Sequence, residues 1–302
     1  MNANMDELNE GSIDGQALAE RRHLTSLAFR MLGTFAEAED AVQETYARWY
    51  RMSQDERDAI QVPRAWLTRV AGRVCLDVLD SARVRRERYV GPWLPEPVPT
   101  HDYVRAGNEN PLDRVTLDDS ISTALLVVLE SMTPAERVAF VLHDVFALPF
   151  DDIAEVVGRT PAACRQLATS ARRRIRETRN QQVTRSQHDD VVRAFSAAAQ
   201  SGEFEQLIAV LDPDVALRSD GGGFVSAARN PVVGADRVAR FMLGVLTKRP
   251  EISVTELQTN DGLGFAMWED GRIVGVVTLG VVGTTISDVW MVLNPEKLSL
   301  WN

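Results

Sequence analysis

The chain has 302 residues, 45% of them hydrophobic and 25% charged, with a formal net charge of −10 at pH 7. That composition supplies cores for two or three soluble domains and excludes a disordered polyelectrolyte, a collagen-like chain and a disulfide-framed mini-protein. Cys75 and Cys164 stand far apart and outside any metal-ligand spacing, which points to a reduced cytoplasmic setting, and the longest apolar run, residues 273–282, is too short to span a bilayer.

The charge is unevenly placed. Residues 61–90 carry seven basic side chains against three acidic, and residues 159–185 carry eight against one, in an otherwise acidic chain. Only Lys248 and Lys297 among the 33 basic residues are lysine, so both islands are arginine, whose planar fork suits phosphate and guanine.

Residues 1–15 are acidic and polar, lack a signal-peptide core and read as a disordered leader. Leu18, Leu24, Leu27, Ala28 and Met31 recur at threes and fours, predicting a helix from Gln16 to Gly33. Thr34 caps a second helix, with Glu37 completing a capping box. On it Ala38, Ala41, Val42, Thr45 and Trp49 face inward, while Glu37, Asp40, Gln43, Glu44 and Arg48 line the outer side. After a loop at residues 51–62, a basic helix offers Arg64, Arg69, Arg73, Arg83, Arg85, Arg86 and Arg88 to a nucleic-acid backbone, with Arg69 also placed to pair within the protein. Residues 91–113, with five prolines and two glycines, form a linker. Within it Trp93-Leu94-Pro95-Glu96-Pro97 joins a conformationally fixed chain to a large apolar anchor.

Leu117, Ile121, Leu125 and Val128 make the next helical stripe. Thr133, Pro134 and Glu136 open another helix, whose buried face is Val138, Val141, Leu142 and Val145. His143 and Asp144 read as a surface pair, because no nucleophile or metal partner is patterned near them. Ile153, Val156 and Val157 then give a short apolar face stopped by Gly158. Thr160 and Pro161 start a helix with Ala163, Leu167, Ala171 and Ile175 inward and Arg165, Gln166, Thr169, Arg172, Arg173 and Arg176 outward. This is the division a helix-turn-helix needs, one stripe docking on the domain and the other facing guanine edges and phosphates. A solvated basic helix closing a small bundle is the alternative.

Beyond residue 183, helices at 188–199, 204–211 and 235–246 accompany strands at 215–219, 252–257, 264–269, 272–279 and 287–293, with Asp270-Gly271 as a hairpin turn. Arg218, Asp220, Trp268, Asp288 and Trp290 are the polar candidates for a pocket. With one histidine, His188, and no tyrosine in this segment, the acid–base set is thin. Asp220-Gly221-Gly222-Gly223 reads as a backbone feature, where glycine permits positive φ and close approach of another segment.

Several of these strings resemble a known family. Residues 38–44, AEDAVQE, with Arg48-Trp49, resemble the helix by which bacterial sigma factors grip RNA polymerase. Pro63-Arg64-Ala65-Trp66-Leu67 through Arg73, Leu76-Asp77, Leu79 and Ser81-Ala82-Arg83 resembles the following helix of the same domain. Taken with the helix-turn-helix, the chain is similar to the extracytoplasmic-function sigma factors. Residues 93–97, residues 220–223 and Asn294-Pro295-Glu296-Lys297-Leu298 resemble signatures of a SigJ-like subgroup with a fused C-terminal domain. Phe224 stands where that subgroup usually has a basic residue after the glycines, and Asp80 where many sigma factors have a basic residue.

The resemblance implies a multidomain fold, with two all-α sigma domains (a region 2 bundle and a region 4 helix-turn-helix) and a C-terminal α+β cone of the SnoaL and nuclear-transport-factor-2 kind. The implied division is a leader at 1–15, region 2 at 16–90, linker at 91–113, region 4 at 114–183 and the SnoaL-like domain at 184–302. It assigns core-polymerase binding to Glu37, Asp40, Gln43, Glu44 and Arg48, and −10 DNA to Arg64, Arg69, Arg73, Arg83, Arg85 and Arg86. It assigns −35 DNA to Arg165, Gln166, Thr169, Arg172, Arg173 and Arg176. An interdomain regulatory set follows: Trp93, Leu94, Pro95, Glu96 and Pro97; Asp220, Gly221, Gly222 and Gly223; Asn294, Pro295, Lys297 and Leu298. The expected function is promoter-directed transcription initiation regulated in cis, without catalytic residues, cofactor or metal. The partners expected are core RNA polymerase, promoter DNA, the chain's own C-terminal domain and an unidentified small ligand of the pocket, with no membrane. Two rival readings stay open, a ligand-responsive helix-turn-helix regulator and a SnoaL-type pocket enzyme fused to a DNA-targeting module.

Overall fold

The computed structural model describes residues 13–86, 89–99, 122–179 and 183–302, without the side chains of 82–86, 177–179 and 246. These fall into two compact units, one built from the described parts of 1–84 and 128–176, the other from those of 85–109, 119–127 and 177–302.

The first unit begins with α1 (Ile13–Ala19), α2 (Arg21–Leu32), α3 (Phe35–Arg51), α4 (Gln54–Asp58) and α5 (Pro63–Arg86). Helix α1 starts three residues before the expected Gln16, because Asp14 accepts a hydrogen bond from Trp49 Nε1 (2.9 Å) and Tyr46 donates to the Ala17 carbonyl (2.8 Å). Residues 1–12 of the expected leader lie outside the described residues. Gly33, at φ 81°, ends α2 by donating its N–H to the Phe29 carbonyl, and Thr34 caps α3 by accepting from Glu37 N. The inward residues expected on α3 are all buried, and Trp49 packs edge-on against Trp66 with ring centroids 5.2 Å apart.

The same unit continues through the end of α6 (Thr123–Glu130) into α7 (Pro134–Phe140), a π-helical turn at Val141–Val145, α8 (Phe150–Val157) and α9 (Pro161–Arg179). Three expectations are corrected here. On α6 the buried apolar residues are Leu126 and Leu129, with Leu125 and Val128 only half-buried; Leu117 and Ile121 lie outside the described residues. Val145 is 39% exposed, because the π turn adds a residue and rotates its own C-terminal end off the α-helical stripe. On α9 the docked stripe is Cys164, Ala168, Ala171 and Ile175, while Ala163 and Leu167 are half-buried.

The second unit contains α10 (Arg185–Ser201), α11 (Phe204–Ala209), β1 (Leu211–Asp220), β2 (Val232–Val233), α12 (Ala235–Lys248), β3 (Ser253–Thr259), β4 (Gly262–Glu269), β5 (Arg272–Val282) and β6 (Thr285–Val292). Its sheet has the order β2-β1-β6-β5-β4-β3, with β1 parallel to β6 and every other pair antiparallel. This is the expected α+β class, helices followed by a meander. Strand β1 begins at Leu211, earlier than expected, and a register irregularity between Leu211 and Ala216 absorbs Asp212-Pro213-Asp214. Asp270 and Gly271, at φ 50° and 76°, form the β4–β5 hairpin turn. Phe195, Leu217, Val238, Phe265 and Val289 sit in one apolar core. Leu217 belongs to that core face, so strand alternation sends Arg218 and Asp220 to the opposite face of the sheet.

Candidate functional site

Two clusters carry the expected site residues, one in each unit. In the first, Thr160 Oγ1 accepts from Ala163 N (3.2 Å) and Pro161 occupies the first turn of α9. Arg165, Gln166, Thr169, Arg173 and Arg176 are exposed along one side of this helix. The Arg165 guanidinium lies 5.4 Å from the centre of the Phe150 ring, against which His143 stacks at 4.0 Å. Arg172 is half-buried and donates from Nε to Asp144 Oδ1 (2.6 Å). His143 and Asp144 therefore brace the basic helix.

On α3, Asp40 and Gln43 are exposed, whereas Glu37 serves the cap and Glu44 pairs with Arg48 (2.9 Å). The hydrogen bond from Arg48 holds the Glu44 carboxyl below its ordinary range. On α5 three arginines, Arg64, Arg69 and Arg73, are already engaged. Arg64 Nη2 lies 3.0 Å from His23 Nδ1; Arg69 pairs with Asp152 (3.5 Å) and Glu155 (3.2 Å); Arg73 donates to the Val156 carbonyl (2.9 Å) and pairs with Asp77 (3.5 Å). A Cβ on Gly72 would stand 3.1 Å from Leu142 and 3.4 Å from Val156, so this face of α5 packs directly on α8 and the π turn before it. The side chains of Arg83, Arg85 and Arg86, and all of Arg88, lie outside the described residues.

In the second unit the linker string, the glycine string and the C-terminal string meet. Asp220 is fully buried at the end of β1. Its Oδ1 accepts from Tyr89 OH (2.6 Å) and Gly222 N (3.0 Å), and its Oδ2 accepts from Leu94 N (2.9 Å) and Lys297 Nζ (2.7 Å). Lys297 also donates to the Leu94 carbonyl and stands 3.8 Å above the centre of the Trp93 ring. Asn294 Nδ2 donates to Tyr89 OH (3.0 Å), and Trp301 Nε1 to the Pro97 carbonyl (3.0 Å). Further along, Asn260 N donates to the Val98 carbonyl (3.2 Å) and Pro99 bridges Thr259. Linker residues Leu94 to Pro99 are buried as a result.

The glycines make this approach possible. Gly222 lies at φ 61°, and a Cβ there would be 2.5 Å from the Asn294 side chain; on Gly221 it would be 2.5 Å from the Val225 carbonyl oxygen. Burial, then the neighbouring Asp220 carboxylate, pushes the Tyr89 hydroxyl well above its ordinary pKa. A buried ion pair is tolerable only when its remaining valences are satisfied, and the Asp220–Lys297 pair meets that condition through four donors and an aromatic face. A second clamp ties Thr123 N and Oγ1 to Asp261 (2.7 and 2.5 Å). Sequence reading missed Tyr89, Trp301 and this Thr123 pair. Aromatic residues flanking the linker and tail were the available signal for the first two.

The remaining pocket candidates separate. Arg218 pairs with Asp288 (2.8 Å), and His188 is buried with Nε2 3.1 Å from the Leu279 carbonyl and Nδ1 3.1 Å from Asp189. A cavity of about 880 Å³ opens on the core side of the sheet, and of the five polar candidates only Trp268 lines it. Its charged lining is Lys248, Arg249, Glu269 and Arg272, not the expected carboxylates. Among the described residues no group of three or more His, Cys, Asp or Glu side chains is disposed to hold a metal, and no helix is long and apolar enough to cross a membrane.

Residues 18–87 match the Sigma-70 region 2 family and residues 122–175 the Sigma-70 region 4 family. The ECF RNA polymerase sigma factor SigJ of Mycobacterium tuberculosis is 43% identical over 235 residues, covering 76% of this chain and 72% of that protein. The probable ECF RNA polymerase sigma factor SigI of the same species is 38% identical over 285 residues, covering 93% and 92%. The crystal structure of M. tuberculosis extracytoplasmic function sigma factor SigJ superposes with a TM-score of 0.73 at 36% identity, covering 93% of this chain and 96% of that one.

Proposed function

The chain belongs to the extracytoplasmic-function RNA polymerase sigma factors, and from that premise we propose that it initiates transcription at specific promoters under control of its own C-terminal unit. Residues 16–90 bind core polymerase through the outer face of α3 (Glu37, Asp40, Gln43, Glu44, Arg48) and meet the −10 element through α5. Residues 114–183 read the −35 element through the exposed side of α9, where Arg165 presents paired donors suited to guanine and Gln166 a donor and an acceptor suited to adenine. Arg69 and Arg73 then exchange their present partners on α8 for phosphates, which requires that packing to open.

Residues 184–302 act as a regulator rather than as an enzyme, and the protein works in the cytoplasm. The observation that carries the regulatory part is the seating of the 91–99 linker on Asp220 and Lys297. A linker between two DNA-reading modules sets their reach, so a contact that buries it limits the geometries they can adopt. Transcription in vitro with purified core polymerase tests this. The full chain confers promoter-specific initiation, and Asp220→Asn changes the yield from the same promoter while core binding is kept. Equal yields from both proteins would remove the regulatory reading, and absence of promoter-specific initiation would remove the whole.

A further inference from the structure

The two strings that hold the linker also wall the cavity of the second unit. From the C-terminal strip, Leu293, Pro295, Leu298 and Asn302 line the cavity, while Asn294 and Lys297 face the linker. Trp301 does both, its ring lining the cavity and its Nε1 bonded to the Pro97 carbonyl. From the other string, Ser219 and residues 225–227 line the cavity and Asp220 holds the linker. One layer of backbone therefore separates the cavity from the Asp220–Lys297 pair.

The cavity, about 880 Å³, is within the range of small-molecule sites. Its body is apolar, with Phe241, Val245, Ile252, Met267, Ile273 and Met291, and a neighbouring pocket of about 280 Å³ shares Val245, Ile252, Met267 and Met291 with it. Its charged edge is net positive. Arg249 is neutralised by Glu251 and by Glu269 (2.7 Å), whereas no described carboxylate stands within ion-pair distance of Lys248 or Arg272.

We propose that this cavity binds an apolar molecule carrying a single acidic head, such as a long-chain carboxylic acid, and that the bound molecule holds the linker in its seat. The proposal rests on the regulatory reading of the C-terminal unit and names its ligand class. The apolar body fills the cavity and the acidic head meets Lys248 and Arg272. The direction of the coupling is set by linkage. The ligand buries apolar surface only while Leu298, Trp301 and residues 225–227 are in place, so it favours the conformation in which Asp220 and Lys297 hold the linker.

The test uses the full chain with the fluorescent polyene cis-parinaric acid and its methyl ester, and tracks hydrogen exchange at the Leu94 amide, which donates to Asp220. The acid is expected to bind at least tenfold more tightly than the ester, and Lys248→Gln with Arg272→Gln to abolish that preference without abolishing ester binding. Exchange at Leu94 is expected to slow severalfold when the acid is bound. No saturable binding, or equal affinity for acid and ester, overturns the ligand class. Binding with unchanged or faster exchange at Leu94 overturns the coupling. Neither assay contains polymerase, so either failure leaves promoter-specific initiation to its own test.

Discussion

The basic side of α9 and the linker seat around Asp220 both depend on cationic side chains, under opposite physical conditions. Arg165, Arg173 and Arg176 are solvated, and the Arg172–Asp144 pair beside them is partly exposed. Exposed pairs of that kind contribute about 0–1 kcal/mol, so the helix can release them for DNA at little cost. Lys297 and Asp220 are desolvated, 4% and 0% exposed, and neither has water to fall back on. The first region is built to exchange partners. The second is built to keep one, and to be costly when that partner is lost.

The contrast can be broken most strongly at Asp220. Replacing it by Ala strands the Lys297 ammonium among Trp93, Tyr89 and the Leu94 carbonyl, and should destabilise the chain by about 3–5 kcal/mol in denaturant unfolding. Combining Asp220→Leu with Lys297→Met should recover a good part of that loss; strictly additive effects would show that the pair is not a unit. Next comes Gly222→Ala, where a left-handed φ and a 2.5 Å approach to Asn294 together should cost about 2–3 kcal/mol. A wild-type melting curve for that variant would mean the glycine string does not set the approach.

On the solvated side, Arg165→Ala should cost at most about 1 kcal/mol in unfolding, through its lost contact with Phe150, and weaken −35 binding by about 1–3 kcal/mol, with relaxed base choice. Equal loss on every sequence would reassign it to phosphate. A pH-dependent effect concerns His23, whose pKa is lowered to about 4 by burial and then by Arg64. Its Nδ1 lies 3.0 Å from an Arg64 nitrogen that can only donate, so Nδ1 accepts and the neutral ring donates from Nε2 to Thr68. Because the folded pKa lies below the unfolded value, this contribution is complete above about pH 6.5 and is lost as pH falls towards 4. In a pH series of unfolding curves His23→Gln should flatten that slope; an unchanged slope would assign it to other groups.

How much was legible in the sequence depended on the range of the forces. Caps at Thr34 and Thr133, the stop at Gly158 and the turn at Asp270-Gly271 depend on a few adjacent residues and were legible. The stripe on α9 was misjudged because steps of strictly four residues drift around a helix of 3.6 residues per turn. The buried set Cys164, Ala168, Ala171 and Ile175 mixes fours with a three and stays on one side. Resemblance brought the linker, glycine and tail strings together as a group, but not how they bond. The Asp220–Tyr89 and Lys297–Leu94 contacts join residues 131 and 203 positions apart, and no local periodicity encodes such pairs. Trp301 escaped for the same reason, with 204 positions separating it from Pro97.

The scarcity of lysine gives the linker seat one more property. A reagent that acylates amines meets only two lysine side chains in this protein, Lys248, which is exposed, and Lys297, which is buried beneath Trp93. With Lys248 as an internal standard, the extent of reaction at Lys297 counts the fraction of molecules whose linker has left its seat. The acyl group also removes the charge that faces Asp220, so a molecule caught open would be kept open. Modification at this one nitrogen would therefore be both a record of release and a ratchet against its reversal.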